Sequence, residues 1–337
     1  GILLALYDGA EVLLKPIFGT LADRIGPRPV LLGGLVAFAI ASAAFVLAGN
    51  PGLLAVARFA QGAAAAAFSP AASAMVSRLT PDTAQGRAFG SYGAWKGLGY
   101  TLGPVLGGAL IWAGGYTLLF GVLGGVAALV AAWAVAAVPV LDPLPRRRQT
   151  VLDLARRLGS RSFLLPTAAL AGSTGVLAVG VGFLPVAGSE HGLGPLFTGA
   201  VVSVLALTAS LVQPRAGRAR DAGRLSDGAG IASGLALAAL GLLAVAIPGP
   251  AGIVVSAVAI GAGVGLVTPL GFAHLAQSSP KEHLGQTMGS AEIGRELGDA
   301  GGPLLVGAIA AAAGLTAGLA GLTVVLVVIA LAALRLR

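Results

Sequence analysis

There is no cysteine among the 337 residues of this chain. A disulfide framework, a thiolate metal site and a thiol nucleophile are thereby excluded. Charge is scarce as well. Only 10% of the residues are Asp, Glu, Lys or Arg, against about a quarter in soluble globular proteins. With 56% hydrophobic residues and a mean hydropathy of +0.92, a chain this long cannot cover its surface with polar groups. A soluble enzyme and a water-soluble binding module are excluded on that ground. The few charges sum to +8 at pH 7, yet nucleic acid is not the expected partner. On so apolar a chain, surplus arginine marks cytoplasmic loops rather than a phosphate-binding face. What the sequence has in quantity is glycine, 53 residues, and proline, 19 residues. Helices that pack closely and bend in lipid are rich in both. The composition is that of an integral membrane protein, with the lipid bilayer as its first partner.

A spanning helix needs about 20 apolar residues to cross about 30 Å of hydrocarbon. Such stretches occur near 1–19, 30–48, 52–77, 88–112 and 115–138, and again near 164–187, 196–213, 228–247, 251–276, 286–310 and 314–334. The expectation is an all-α membrane protein with eleven spans. Gly1 opens inside the first span with no basic leader ahead of it, so one upstream span is expected to be missing. Arginines and lysines fall in alternate connections. Arg24 and Arg28, Arg78 and Arg87, and the Arg215–Arg224 group follow the first, third and seventh spans, and Lys281 follows the ninth. The turns near Asn50, Gly114, 190–195 and 248–250 carry none. Positive loops stay inside, which places the C-terminus in the cytoplasm of a cell membrane. The one substantial polar linker, 141–161, holds Arg146, Arg147, Arg148, Arg156, Arg157 and Arg161, with Val151, Leu154 and Leu158 on one helical stripe. It reads equally as a short helix lying on anionic headgroups or as a solvated connector.

The two halves repeat one another. Gly103-Pro104 and Gly302-Pro303 stand 199 residues apart, and the same offset pairs Gly62 with Gly261, Pro70 with Pro269, Gly86 with Gly285 and Gly99 with Gly298. One residue shorter, Pro16 meets Pro214, Gly19 meets Gly217 and Asp23 meets Asp221. A register held across two helices and a loop marks a duplicated bundle: residues 1–140, the linker 141–161, and residues 162–337. Parallel-repeat transporters are built this way, with a site near the midplane between halves.

Three motifs lie on this frame. Gly19-Thr-Leu-Ala-Asp23-Arg24-Ile-Gly26-Pro-Arg28 closes the first span, Leu54-x-x-x-Arg58-x-x-Gln61-Gly62 lies on the third, and Gly99-x-x-x-Gly103-Pro104-x-x-Gly107-Gly108 lies on the fourth. They resemble motifs A, B and C of the major facilitator superfamily, in that family's order, and motif C there marks antiporters, especially drug/proton exporters. The resemblance implies the major facilitator fold of two pseudo-symmetric six-helix bundles, with the eleven spans as helices 2–12. It also implies that Asp23 latches the two halves in the outward-facing state by accepting from the orphan amides of a helix N-terminus. For Arg58 it implies a part in proton coupling, the rival being snorkelling to the outer headgroups. This copy of motif A has Pro27 and Pro29 around Arg28, and its second-half counterpart, Gly217–Arg224, is degenerate and one residue short, so a weaker latch is expected there. In motif C, small residues are expected to seat the helix against a neighbour while Pro104 bends it. The bend lies 17 residues past Arg87, about 25 Å at about 1.5 Å per residue.

Charges stand inside the spans. Asp8, Glu11 and Lys15 form one face of the first, Lys96 lies on the fourth, and Glu292, Arg295, Glu296 and Asp299 form a stripe on the tenth. With Arg58, embedded bases number four against five acids. The surplus carboxylate is a candidate proton carrier, and the whole set reads either as coupling machinery or as an ion-pair network at the interface. His191 and His274 read as solvated or packed residues.

The expected activity is secondary active transport by a monomer that is not an enzyme, needs no cofactor and holds no metal. Its small organic substrate leaves as protons enter, by alternating access. Proton-coupled uptake of a nutrient or organic anion is the alternative, with Lys96 and Arg295 suited to an anion. An intramembrane hydrolase built on His274 with Ser73 or Ser77, or a sensor that binds without flux, are the readings from other classes.

Overall fold

The computed structural model describes residues 2–47, 49–141, 151–190 and 192–336. Among these residues there are helices and short connections and no strand. His191 and Arg146–Arg148 lie outside them, as do the side chains of Tyr100 and Pro104.

Local chemistry sets most of the helix ends. The first helix, α1 (Ile2–Ile25), stops at Gly26, whose φ of +93° only glycine adopts without strain. Pro27 then opens α2 (Pro27–Leu47), where its missing N–H costs nothing. The Asn50 side chain accepts from the Leu53 amide at 2.9 Å and, with Pro51 at the first position, starts α3 (Pro51–Ala65). Helix α4 (Phe68–Leu79) continues the same span after a break at Ala66 and Ala67. Pro70 explains the break, because its ring excludes a regular bond to the Ala66 carbonyl four residues back. Next comes a 3-10 turn, Asp82–Ala84, and then α5 (Gln85–Ala137). At 53 residues, a straight α5 would be about 80 Å long, more than two membrane thicknesses. It is two spans, broken where Gly114 and Gly115 leave helical geometry and Gly115 takes φ +68°.

The second half begins with the short α6 (Val151–Leu158) and continues through α7 (Arg161–Glu190), α8 (Pro195–Asp221), α9 (Asp227–Ala244) and α10 (Pro250–Ser278). A 3-10 turn at Lys281–His283 leads into α11 (Leu284–Ala313), and α12 (Leu315–Ala333) follows. Counting α3 with α4 as one span and α5 as two gives eleven. Eight described helical stretches are long and apolar enough to cross a membrane on composition alone. Helices α1 and α11 are long enough but carry the embedded charges.

The chain folds as two compact units. The first comprises residues 1–79, 102–149 and 279–293, and so holds α1 to α4, the rest of α5 from Leu102 onward and the opening turns of α11. Its small core is Ala22, Val30, Ala67 and Ala71, packed by Phe18, Leu21 and Leu31. The second comprises residues 80–101, 150–278 and 294–337, hence the start of α5, α6 to α10, the rest of α11, and α12. Its core is larger, with Leu205, Ile231, Leu235, Ile253, Ile260, Leu270 and Leu326 fully buried. Outward faces are apolar too: Leu47, Trp112 and Leu129 are among the most exposed side chains. Those faces suit acyl chains rather than water.

Candidate functional site

The end of α1 meets the start of α11 backbone to backbone. A Cβ at Gly19 would strike the Gly285 carbonyl, and one at Gly289 would lie 2.6 Å from the Lys15 carbonyl. That approach brings the Asp23 carboxylate onto the first turn of α11. Oδ1 accepts from the Gly285 amide at 2.7 Å and Oδ2 from the Gln286 amide at 2.8 Å. These donors have no partner within their own helix, and the helix dipole favours an anion there. Of the other motif A residues, Gly26 makes the turn, Arg28 donates through Nη2 to the Val135 carbonyl on the second span of α5, and Arg24 is exposed.

The second half carries the same contact. Gly217 lies against the Gly86 backbone, and Asp221 accepts from the Gly86 amide at 2.9 Å and the Arg87 amide at 2.7 Å, which caps α5. The expectation of a weaker contact here is not met by the geometry. The missing residue falls after the carboxylate: Gly217 to Asp221 keeps the four-residue spacing of Gly19 to Asp23, and Gly223, at φ +69°, turns the chain two residues past Asp221, where Gly26 does so three past Asp23. A polar chain then backs this cap. Arg220 stands 3.4 Å from Asp221 and pairs with Asp227 at 2.6 and 3.1 Å, while His274 Nδ1 lies 2.9 Å from Asp227 Oδ2, the oxygen that Arg220 Nη2 also reaches. Arg220 also donates to Gln277, which donates to the Asp82 carbonyl just ahead of α5. Asp227 sits at the loop end of α9, before its apolar stretch. Burial works to raise its carboxyl, but hydrogen bonds with His274 and Arg220, together with their charge, outweigh that and hold it below the usual carboxylate range. Sequence reasoning missed Asp227 and read His274 as a packed or solvated residue. Helix-start position and the basic neighbour Arg220 were the available signals.

Motif B forms a third cluster. Arg58 Nη1 donates to Gln61 at 2.8 Å, and the buried Gln61 donates to the buried Ser42 on α2 at 3.0 Å. The guanidinium lies 5.1 Å from the Phe45 ring, 5.2 Å from Phe120 and 5.8 Å from Tyr7. Rings at that range attract a cation by about 0.5–2 kcal/mol each, most where water is excluded. Gly62 lets α3 approach the Tyr7 backbone. Arg58 is therefore held within its unit by three aromatic rings and an amide. Phe45, Phe120 and Ser42 could not be picked out from the sequence, because nothing in their spacing points to position 58.

The embedded charges divide. Lys15 Nζ lies 2.8 Å from Glu11 Oε1 and 3.7 Å from Glu292 Oε2, which joins α1 to α11. Lys15 is 1% exposed and Glu292 2%. Further along α11, the Arg295 guanidinium lies 5.7 Å over Phe272, which stacks on Phe89. Lys96 and Glu296 are half-buried, while Asp8 and Asp299 are exposed. Motif C departs from expectation. Among the described residues, a Cβ at Gly99, Gly103 or Gly108 would meet nothing within 4 Å, and at Gly107 only the Leu119 side chain. The repeat-related Gly298 and Gly302 on α11 do seat closely, against the Ala171 and Gly175 backbone of α7. Small residues permit close packing only where a helix faces them, and here one faces the second copy alone.

Comparison with known proteins agrees with this architecture. A profile of the Major Facilitator Superfamily matches residues 1–252 and, overlapping, 177–337. The class H tetracycline resistance protein of Pasteurella multocida is 37% identical over 110 residues, 33% of this chain and 27% of that protein. The quinolone resistance protein NorA of Staphylococcus aureus is 28% identical over 108 residues, 32% of this chain and 28% of that one. The matched stretches thus span about a quarter of the length of these relatives. Among solved structures, the human organic anion transporter MFSD10 (TETRAN) superposes with a TM-score of 0.82 at 19% identity, covering 99% of this chain and 83% of that one. The E. coli fucose:proton symporter FucP gives 0.79 at 17% identity, covering 98% and 92%. At such identities the likeness establishes the fold. With the profile spanning its whole length, the chain belongs to the major facilitator superfamily.

Proposed function

We propose that the chain works as a proton-coupled exporter of a small organic compound, moving it by alternating access as a monomer in a bacterial cell membrane. The halves 1–140 and 162–337 would be the moving bodies, the basic linker 141–161 their tether, and the C-terminus cytoplasmic. The observation that carries the reading is the pair of aspartate caps, Asp23 on α11 and Asp221 on α5. Each is a short-range electrostatic contact made between the start of one helix and an aspartate near the end of another, more than a hundred positions away. Such contacts can be made and broken as whole helices shift, without unfolding either partner. The matches to tetracycline and quinolone resistance proteins support an exported organic substrate. The half-buried Glu11 on α1 and the buried Glu292 on α11 support coupling to protons.

The test is flux in proteoliposomes with an imposed pH gradient, using tetracycline and a quinolone as probes. Movement of a probe against its own gradient, in exchange for protons and abolished by a protonophore, is the expected result. Accumulation together with protons would replace export by uptake, the direction for which Lys96 and Arg295 would suit an anionic substrate. Probe binding without flux would leave a sensor.

A further inference from the structure

We infer that a cavity where the start of α5 meets the end of α8 is a phosphate-binding site, built by Arg87 and Arg218 and taking the phosphate group of a phospholipid headgroup or a free phosphate. Such a site is independent of the direction of transport and of its coupling ion. The cavity has a volume of about 340 Å³. Thr83, just ahead of α5, and Arg87, in its first turn, line one side, and Arg218 and Asp221 of α8 line the other, all within the second compact unit. An excess of arginine in connections is first of all a mark of topology. What sets these two apart is their state of pairing. Arg215 donates to the Leu211 carbonyl at 2.6 Å, and Arg220 is engaged by Asp227 and Gln277. Among the described residues, no hydrogen bond or ion pair engages the guanidinium of Arg87 or of Arg218.

Two cations lining one concavity repel, and an anion seated between them replaces that repulsion with charge-assisted contacts. The planar fork of a guanidinium matches phosphate oxygens, and the Thr83 hydroxyl adds a donor. Asp221 lines the same cavity but its charge is already compensated. It accepts from the Gly86 and Arg87 amides at 2.9 and 2.7 Å, and Arg220 stands 3.4 Å away. The ligand is therefore held by side chains and not by the helix start, whose first amides Asp221 occupies. The internal repeat supplies a control. At the offset of 199, Arg87 aligns with Gln286 and Thr83 with Glu282, and at 198 Arg218 aligns with Thr20. The first copy makes the same cap, from Asp23 to the Gly285 and Gln286 amides, with no cation at either arginine position and a carboxylate at the third. Capping therefore does not call for Arg87 and Arg218. A phosphate group bridging them ties together the same two segments that Asp221 joins, and so strengthens the second cap.

The test uses the full chain in two settings. In a neutral detergent it is titrated with inorganic phosphate against chloride at equal ionic strength. In nanodiscs, phosphatidylcholine alone is compared with phosphatidylcholine containing phosphatidylglycerol. Melting temperature and hydrogen–deuterium exchange at Gly86 and Arg87 are the readouts, and the ligand should raise the first and slow the second. A response to inorganic phosphate alone assigns the site to free phosphate, a response to phosphatidylglycerol alone assigns it to a lipid headgroup, and responses to both show that it reads the phosphate group from either source. Arg87→Gln with Arg218→Gln should raise the half-saturating ligand concentration by about tenfold for each arginine lost. Thr83→Glu, which installs the residue of the first copy, should abolish the response. Arg156→Gln with Arg161→Gln removes the same charge elsewhere in the unit and should leave it unchanged. If the Arg87 and Arg218 double variant does not fold, Arg218→Gln alone, at an exposed position, is read in its place. No response of the parent to either probe, or equal losses in the two double variants, overturns the site.

Discussion

Replacing Asp23 by alanine removes both acceptors from the first turn of α11, and the loss can be sized. Two hydrogen bonds to a charged acceptor, at 2.7 and 2.8 Å, are broken. Fully buried, each would contribute about 1.5–3 kcal/mol. Asp23 is only part-buried, so water can replace part of the interaction, and measured losses of a helix-capping side chain, about 0.5–2 kcal/mol, are the better guide. Taking about 1.5 kcal/mol, the capped population falls roughly tenfold. Hydrogen–deuterium exchange reads this directly. Amides of Gly285 and Gln286 should exchange about tenfold faster in Asp23→Ala, with those of Gly86 and Arg87 unchanged. Asp221→Ala should give the mirror result with a similar magnitude, because its two bonds measure 2.9 and 2.7 Å. If Asp221→Ala leaves the start of α5 protected, the second cap is idle despite its geometry. If either substitution loosens both sites alike, the effect is general destabilisation and the two-cap reasoning fails.

Other substitutions test the remaining contacts. Arg58→Lys keeps the charge but loses the planar group that faces Tyr7, Phe45 and Phe120, so thermal stability in detergent should drop by about 1–2 kcal/mol. An unchanged melting temperature would show that the rings are mere neighbours. Gly298→Ala drives a methyl into the Ala171 carbonyl and should lower stability sharply, whereas Gly182→Ala on the open face of α7 should be neutral or slightly stabilising. Equal effects in the two variants would refute the packing argument. Asp227 has its carboxyl lowered by its partners, so its contribution is present above the unfolded value of about 3.9 and is lost as pH falls through the folded one. The stability gap between the parent and Asp227→Asn should therefore hold at neutral pH and close only in strong acid, as a pH series of melting curves would show.

How much of this was legible in the sequence depends on how far apart the interacting residues lie. Periodicity and length gave the eleven spans, because lipid demands an unbroken apolar helix of nearly fixed length. The internal repeat paired Asp23 with Asp221 and Gly19 with Gly217 before any coordinates, and both pairs occupy equivalent positions on their helices. The geometry of the second cap was harder to read, because a one-residue deletion looks damaging in an alignment, whereas here it falls beyond Asp221 and leaves the Gly217–Asp221 spacing intact. The partners of Arg58 were invisible for a different reason. Phe45 and Phe120 reach it from α2 and α5, and aromatic residues in spans ordinarily face lipid or core. For motif C the spacing was informative about the residue type and silent about whether a helix faces it.

Two cations within the first unit, the half-buried Arg58 and the buried Lys15, solve the same problem differently, and the contrast makes a last prediction. Arg58 is held by an amide and aromatic faces. Lys15 is held by two acids on two helices, an arrangement whose desolvation cost commonly exceeds its Coulomb gain. If the triad served stability alone, neutral groups of similar shape would serve as well or better. Replacing all three together, Glu11→Gln, Lys15→Met and Glu292→Gln, should therefore leave the melting temperature level or raise it, by the equivalent of about 1–4 kcal/mol. Removing Lys15 alone should cost about 3–5 kcal/mol, because it takes away the buried cation that lies between Glu11 and Glu292. A triple variant that is several kcal/mol less stable than its parent would make the triad a structural clamp, and the case for charge kept in lipid for the sake of coupling would be lost.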